Sequence, residues 1–364
     1  MKKFLVVALL FGLLVSMASA QQLIGAKASG MGGAGVANVT DLASVYYNPA
    51  ALMESNVKAG EVKIALGAAY SKPDKLIDAM SKASDPATFL LDNYANDLTF
   101  SGSLNGIVGL NIRKIGLSVL PMVMASVSKP ALSTGGTVNA MVRYDTVVTV
   151  GTNYSVPFLP IGEVAVGANI KSIAATNGSI TANVSPDPRL SSGNKTIQTG
   201  SGVGFDIGAL ASLDVPMVTS FKAGIVMRDL GESIKYTNKS QFSYINQITG
   251  KVTFDAEVQG ADTTQTINSS TAIGASAVVP GIGLVVAGDI EMANPDTNIH
   301  MGVEYPMLLG MIILRAGVAS GPNLGLTTIG AKLNLPIMGL DLAMISNSKQ
   351  TDLSSMVVDI NIGF

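Results

Sequence analysis

The sequence predicts an all-β fold, a transmembrane antiparallel β-barrel of about 14 strands, with an N-terminal plug (hatch) segment and short helices in the first outer loop. Three observations predict it. The last residues, Met356 to Phe364, alternate strictly: Met356, Val358, Ile360, Ile362 and Phe364 share one face, and Val357, Asp359, Asn361 and Gly363 share the other. Successive side chains of a strand face opposite sides, so this segment has an apolar face for lipid and a polar or small face for a lumen, and its terminal Phe364 suits the barrel C-terminal signal of an outer-membrane protein. The other end, Met1 to Ala20, has basic Lys2 and Lys3, an apolar stretch from Phe4 to Val15 and the small-residue site Ala18-Ser19-Ala20, which reads as a secretory signal peptide. Finally, charged residues are 13% of the 364 while apolar residues are 48%. That is about half the usual charged share, too little to cover a soluble surface of this size.

Composition also limits function. The net charge is −2, and loss of Lys2 and Lys3 makes it more negative, which argues against electrostatic nucleic-acid binding. With no cysteine, neither a disulfide nor a lipid-modified cysteine is expected. The longest uncharged stretch, Thr271 to Gly288, is broken by Gly274, Pro280, Gly281 and Gly283. It reads as two strands around a Pro-Gly turn rather than a spanning helix.

Along the chain, residues 1–20 are the signal peptide, 21–56 the plug and 57–364 the barrel. The Gly- and Ala-rich plug is expected inside the lumen, either as a gate that contacts ligand or only as a seal. Pro73 to Leu98 has helical spacing at Leu76, Ile77 and Met80, then at Phe89, Leu90 and Tyr94, and is assigned to the first outer loop. Period-2 alternation follows. Val62, Ile64 and Leu66 oppose Glu61 and Lys63; Val164, Val166 and Ile170 oppose Glu163, Asn169 and Lys171; Ile299, Met301 and Val303 oppose His300 and Glu304. In Val142 to Val156, Tyr144 and Tyr154 lie ten residues apart on the apolar face. At ~3.3 Å per residue and ~45° tilt they would stand ~23 Å apart along the membrane normal, the spacing of two aromatic girdles. Short connections fall at Arg113 to Gly116, Pro157 to Gly162, Asp214 to Ser220, Pro280 to Gly283, Pro306 to Gly310 and Pro336 to Gly339. Longer ones fall at Ser71 to Phe100, Ser128 to Val138, Ala175 to Gly200 and Gly231 to Asn268, before three brief loops. Short turns belong to the periplasmic rim, so both termini are expected to be periplasmic in the bacterial cell outer membrane.

Residues Ala26 to Leu52 read AKASGMGGAGVANVTDLASVYYNPAAL. This segment resembles the N-terminal signature of the FadL/TodX-type outer-membrane transport superfamily, whose relatives include PorV-like and TraF-like barrels. The shared features are a Gly-rich small-residue stretch, a short Asp-Ala-Ser-type segment, the aromatics Tyr46 and Tyr47, then Asn48-Pro49-Ala50. The resemblance implies a hatch folded into a 14-stranded barrel that takes up small hydrophobic molecules, of the long-chain fatty acid or hydrocarbon type, by binding and lateral diffusion. It also implies the alternative of a non-transporting accessory or structural barrel in secretion or assembly. The residues themselves give Gly30, Gly32, Gly33 and Gly35 a packing role, because glycine lets backbone approach a wall or adopt positive φ. Asn48-Pro49 reads as a turn returning the chain to the first strand. The spacing Gly30-x-Gly32-x-x-Gly35 also fits a dinucleotide loop, but no βαβ context accompanies it.

Pro121 falls inside the third strand, where a residue that cannot donate to the ladder is unexpected. It should loosen pairing there; the FadL-type resemblance implies that a kink in this strand forms a lateral portal, and the alternative is a bulge or a shifted turn with no portal. The lumen face carries both signs, notably Arg143, Asp145, Glu163, Lys171, Lys222, Arg228, Glu304 and Arg315, with Lys63, Lys332, Glu61, Asp206, Asp289, Glu291, Asp341 and Asp359. A narrow plugged barrel would pair them, since unpaired buried charge is costly; a wide pore would leave them solvated for selectivity. His300 is the only histidine, and no nucleophile motif accompanies it. No catalysis, metal or cofactor is expected. The expected partners are outer-membrane lipid, a small hydrophobic ligand, the barrel-assembly machinery during insertion and, in the accessory reading, another protein; no nucleic acid is expected.

Overall fold

The computed structural model describes residues 23–55, 60–71, 99–128, 135–156, 161–183, 192–213, 215, 218–245, 252–349 and 353–363. The signal peptide, the helical spacing of 73–98 and Phe364 lie outside them. Seven strands come first: β1 Gly60–Ser71, β2 Phe100–Ile112, β3 Ile115–Ser128, β4 Gly135–Ser155, β5 Ile161–Asn183, β6 Ser192–Leu213 and β7 Ser220–Ile245. Three short pieces follow, β8 Val252–Phe254, β9 Val258–Gln259 and β10 Thr263–Thr266. Then come β11 Ser270–Val278, β12 Val285–Ala293, β13 Asp296–Met307, β14 Ile312–Ser320, β15 Gly325–Asn334, β16 Met338–Asn347 and β17 Leu353–Gly363. β1 to β7 pair antiparallel in order, β7 pairs with β11, β11 to β17 continue in order, and β17 returns to β1 from Glu61↔Gly363 to Ser71↔Leu353. The result is a closed barrel of 14 strands, because β8, β9 and β10 only line the upper part of β7, above the stretch that pairs with β11.

The alternation sets which face looks out. Met356, Val358, Ile360 and Ile362 are exposed while Val357 and Asp359 are buried, and Ile64 and Leu66 are exposed while Lys63 and Ala65 are fully buried. Such large exposed apolar sets recur around the whole wall. A soluble monomer rarely exposes contiguous apolar area beyond a few hundred Å². Here acyl chains must cover it. Among the described residues no helix is long and apolar enough to cross a membrane, so the crossing is made by strands.

Strand length divides the wall. β11 to β17 have 9–12 residues, close to the 9–11 that span a bilayer at ~45°. β4 to β7 have 21, 23, 22 and 26 and run on past the rim. Much of 175–200 and 231–268, assigned above to loops, is therefore strand. Its Thr, Ser, Asn and Lys residues mostly alternate with other polar residues, so only short runs such as Ile234 and Tyr236 marked a strand face in the sequence. The change of level is abrupt. β6 and β7 lose register between Val203 and Ile207, and Asp229 and Gly231 take positive φ of 59° and 62°.

Residues 23–55 fill the lumen. They contain a short helix α1, Ala26–Gly30, a single turn α2, Ser44–Tyr47, and a 3-10 helix, Pro49–Met53. Ile24, Leu42, Val45, Leu52 and Met53 bury against Ala65, Ile107, Val147, Ala165 and Leu210 of the wall. Full burial of each large side chain contributes about 1.5–3 kcal/mol, so the hydrophobic core of this protein lies between plug and barrel.

Candidate functional site

Most of the plug lacks its own secondary structure, so its backbone polar groups must find partners elsewhere. The wall supplies them. Asp359 accepts the Ala26 N–H at 2.7 Å, Asp289 accepts those of Gly35 and Val36 at 2.6 and 2.9 Å, and Glu61 accepts that of Leu42 at 2.9 Å. The Thr328 hydroxyl accepts the Gly32 N–H at 2.9 Å. Donors serve the carbonyls: Asn169 to Val45 at 2.7 Å, Arg228 to Tyr47 at 3.0 Å and Ser276 to Ala37 at 2.8 Å. His300 is buried beneath the plug, its Nδ1 2.7 Å from the Gly32 carbonyl oxygen.

The glycines lie where plug and wall touch. Gly32 and Gly33 have φ of 70° and 91°, a left-handed backbone that other residues resist. Gly32 and Met31 press their backbones against Gly302 and Gly317 of β13 and β14, where any Cβ would overlap them. Gly30 packs on Gly330 of β15, and Gly35 packs under the Tyr47 ring. The Tyr47 hydroxyl accepts the Ile24 N–H at 3.2 Å. Burial, more than any neighbouring charge, raises the phenol of Tyr47, and that of Tyr46, above the ordinary value. The ring of Tyr46 packs edge-on to Tyr47 and lies 5.6 Å below the Arg228 guanidinium.

Asn48 differs from its expected role as a simple reversal. Its Oδ1 accepts the Ala50 N–H at 3.1 Å, capping the 3-10 helix that Pro49 begins. Its Nδ2 donates to Val36 and Ala209 carbonyls, both at 3.1 Å. One fully buried amide thus caps a helix, ties two parts of the plug together and pins both to β6.

The structure places most of the lumen charges in ion pairs, while Glu61, Glu163 and Asp289 accept plug N–H groups. Arg143 holds Asp145 at 2.6 Å and Glu232 at 2.7 Å. Lys171 holds Asp206 at 2.8 Å, Glu232 at 3.0 Å and Asp229. Lys222 meets Glu54 of the plug at 2.7 Å, Arg228 meets Glu291 at 2.6 Å, and Arg315 bridges Glu304 at 2.6 Å and Asp341 at 2.5 Å. Glu163 takes the Ser55 N–H and hydroxyl at 2.9 and 2.5 Å, where the plug ends. Lys27 lies 3.9 Å from Glu304; burial lowers its ammonium below the ordinary value although Glu304 opposes the change. Sequence reasoning missed four members of these networks. Asp41 and Glu54 lie in the plug, and Asp229 and Glu232 fall at the edge of what read as a loop. The alternation of Glu232 with Ile234 and Tyr236, all buried, was the available signal.

Asp41 gives the plug a pH dependence. Burial acts to raise its carboxyl, but the Lys63 ammonium 3.0 Å away outweighs that and holds it below the ordinary value. A depressed native value stabilises above the unfolded one, ~3.9, and the contribution disappears as pH falls through the native value. Conductance in planar bilayers is therefore expected to stay low down to about pH 4 and to rise below it as the plug loosens. A rise already at pH 6 would assign the release to other groups.

Pro121 lies in β3, opposite Tyr144 of an unbroken β3–β4 ladder. On its other side the β2–β3 pairs run Asn105↔Met122 and then Val108↔Val119, skipping Gly106 and Ile107 opposite Pro121 and Leu120. The register is unchanged across the skip; only bonds are missing, as a residue without an N–H requires. Inside this gap lies a cavity of about 170 Å³. Ile24, Val45 and Tyr46 of the plug form one side and Leu120, Pro121 and Met122 another. Its far side carries Arg143, Lys171, Arg228 and their carboxylates, so it is half apolar and half charged.

No known family profile matches the chain, and no curated protein matches it. Solved structures do match in fold. The toluene transporter TbuX of Ralstonia pickettii is 13% identical over 93% of this chain and 98% of its own, with a TM-score of 0.57. The toluene transporter TodX of P. putida is also 13% identical over 93% and 98%, with a TM-score of 0.58. A Pseudomonas aeruginosa FadL homologue is 10% identical over 96% and 98%, with a TM-score of 0.54. The chain has the FadL/TodX-type fold, and those two transporters are channel proteins rather than enzymes.

Proposed function

We propose that this protein is an outer-membrane channel, its termini and short turns on the periplasmic side, that takes up small apolar molecules by binding between plug and wall and releasing them sideways past Pro121. One observation carries the reading: the cavity and the missing β2–β3 pairs adjoin. A ligand held against Leu120 and Met122 sits beside a stretch of wall that lacks two successive β2–β3 pairs. Size favours a single ring over an extended acyl chain. A cavity of ~150 Å³ takes a benzene-sized molecule, whereas pockets for larger ligands run from ~300 Å³.

Pro121→Val restores the missing N–H and keeps an apolar outward side chain. Uptake of toluene into lipid vesicles containing the protein is expected to fall several-fold, while equilibrium binding of toluene in detergent changes little. Unchanged uptake would sink the lateral route, and the absence of saturable binding by toluene or any fatty acid would sink the transport reading itself.

A PorV-like or TraF-like accessory role is favoured by a different observation, the sheet that β4 to β7 raise beyond the bilayer. Copurification of a stoichiometric protein partner, without ligand binding, would select it.

A further inference from the structure

The charged side of the cavity discriminates among ligands by sign, an inference that rests on the transport reading above. Three cations line it, Arg143, Lys171 and Arg228, against five carboxylates, Asp145, Asp206, Asp229, Glu232 and Glu291. Each cation is already paired with at least one carboxylate. Arg143 gives Nε and Nη2 to Asp145 at 2.7 and 2.6 Å and shares Nη2 with Glu232. Arg228 gives Nη1 to Glu291 and Nη2 to the Tyr47 carbonyl. The single ammonium of Lys171 serves Asp206, Asp229 and Glu232 together. The other groups at Asp206, the Asn169 amide and the Asp229 N–H, are hydrogen-bond donors without charge. His300 faces Glu291 at 3.8 Å from the opposite side.

Counted by formal charge, carboxylates thus outnumber cations by two where β5, β6 and β7 meet, and they are concentrated around Lys171. Glu232 is fully buried, and its Oε2 has no hydrogen bond beyond the contact with that shared ammonium. Arg228 Nε has no acceptor and offers a ligand one donor, but a single N–H on an already paired guanidinium does not reverse a two-charge excess. An incoming carboxylate would meet like charge in a partly desolvated space and be repelled. An incoming ammonium would supply what the cluster lacks, while its ring rests on Val45, Leu120 and Met122.

We infer that the cavity prefers single-ring ligands bearing a protonated amine, the arylalkylamine class, over neutral hydrocarbons of the same size and strongly over aryl carboxylates. The test uses the full-length mature protein in detergent and isothermal titration with phenethylamine, ethylbenzene and phenylacetate at neutral pH. Phenethylamine is expected to bind at least about tenfold more tightly than phenylacetate, with ethylbenzene between them. The ratio of amine to ethylbenzene affinity is expected to fall in Asp229→Asn, where asparagine tolerates the left-handed backbone. Glu232→Gln is the second variant, and heat-dependent gel mobility verifies that each barrel is folded. Phenylacetate binding as tightly as phenethylamine, or an amine-to-ethylbenzene ratio unmoved by both folded variants, overturns the inference. Ethylbenzene binding without amine preference sinks this inference alone, whereas no binding by any of the three sinks the transport reading with it.

Discussion

Lys63→Met is expected to destabilise the barrel by about 3–5 kcal/mol, the usual loss when one partner of a buried ion pair is removed. The Lys63 side chain is fully buried in β1, with Nζ 2.8 Å from Asp359 of β17, 3.0 Å from Asp41 of the plug and 3.0 Å from the Asn361 side-chain oxygen. It stands at the seam where the last strand meets the first, and it joins that seam to the plug. Without the ammonium, two carboxylates face one another, and Asp359 has no exposure to relieve it. The measurement is the temperature at which the compact gel band of the folded barrel converts to the unfolded one. Adding Asp359→Leu to Lys63→Met should recover part of the loss, because it removes the stranded charge. A midpoint unchanged by the single substitution would show that the seam does not depend on this pair.

Gly317→Val is expected to expel the plug while leaving the barrel closed. The new side chain would point into the lumen, where its Cβ overlaps the backbone of Met31 and Gly32. Backbone cannot move aside as a flexible side chain can, and the segment it belongs to is tied by Thr328, Asp289 and His300. The outward face of β14 is untouched, so insertion and closure should survive. Single-channel conductance is expected to increase several-fold, and the plug should become accessible to protease in detergent. Wild-type conductance from a folded Gly317→Val barrel would show that the plug can shift without opening a path.

The barrel was legible because lipid imposes a strict rule: outward positions of a spanning strand must be apolar, so Ile64, Met301 and Ile360 announce their strands. Closure and strand number followed from the alternation of short and long connections. The upper parts of β5 to β7 were illegible for the complementary reason. Beyond the bilayer neither face must be apolar, and Thr196, Gln198 and Asn238 read as loop. The plug could be recognised by its glycines, but the partners that hold it could not. Asp289 and Gly35, or Asp359 and Ala26, are joined by geometry across hundreds of residues, and nothing local to either marks the other. Pro121 was conspicuous as a proline inside a strand. That it removes pairs toward β2 while leaving the β4 ladder intact depends on which side of the strand its nitrogen faces, which a single sequence does not reveal.

The uneven strand lengths have a consequence for traffic in the plane of the membrane. With β7 at 26 residues, some 15 more than a crossing needs, the surplus is ~50 Å of strand and ~35 Å of height at the usual tilt. That flank forms a palisade, whereas β12 to β17 end level with the lipid headgroups. In the orientation proposed above, with the termini periplasmic, bulky neighbours in the outer leaflet would draw close along the low flank and be fended off along the high one. Pro121 belongs to β3, next to the palisade, so cargo slipping out there would enter a stretch of bilayer shielded from crowding.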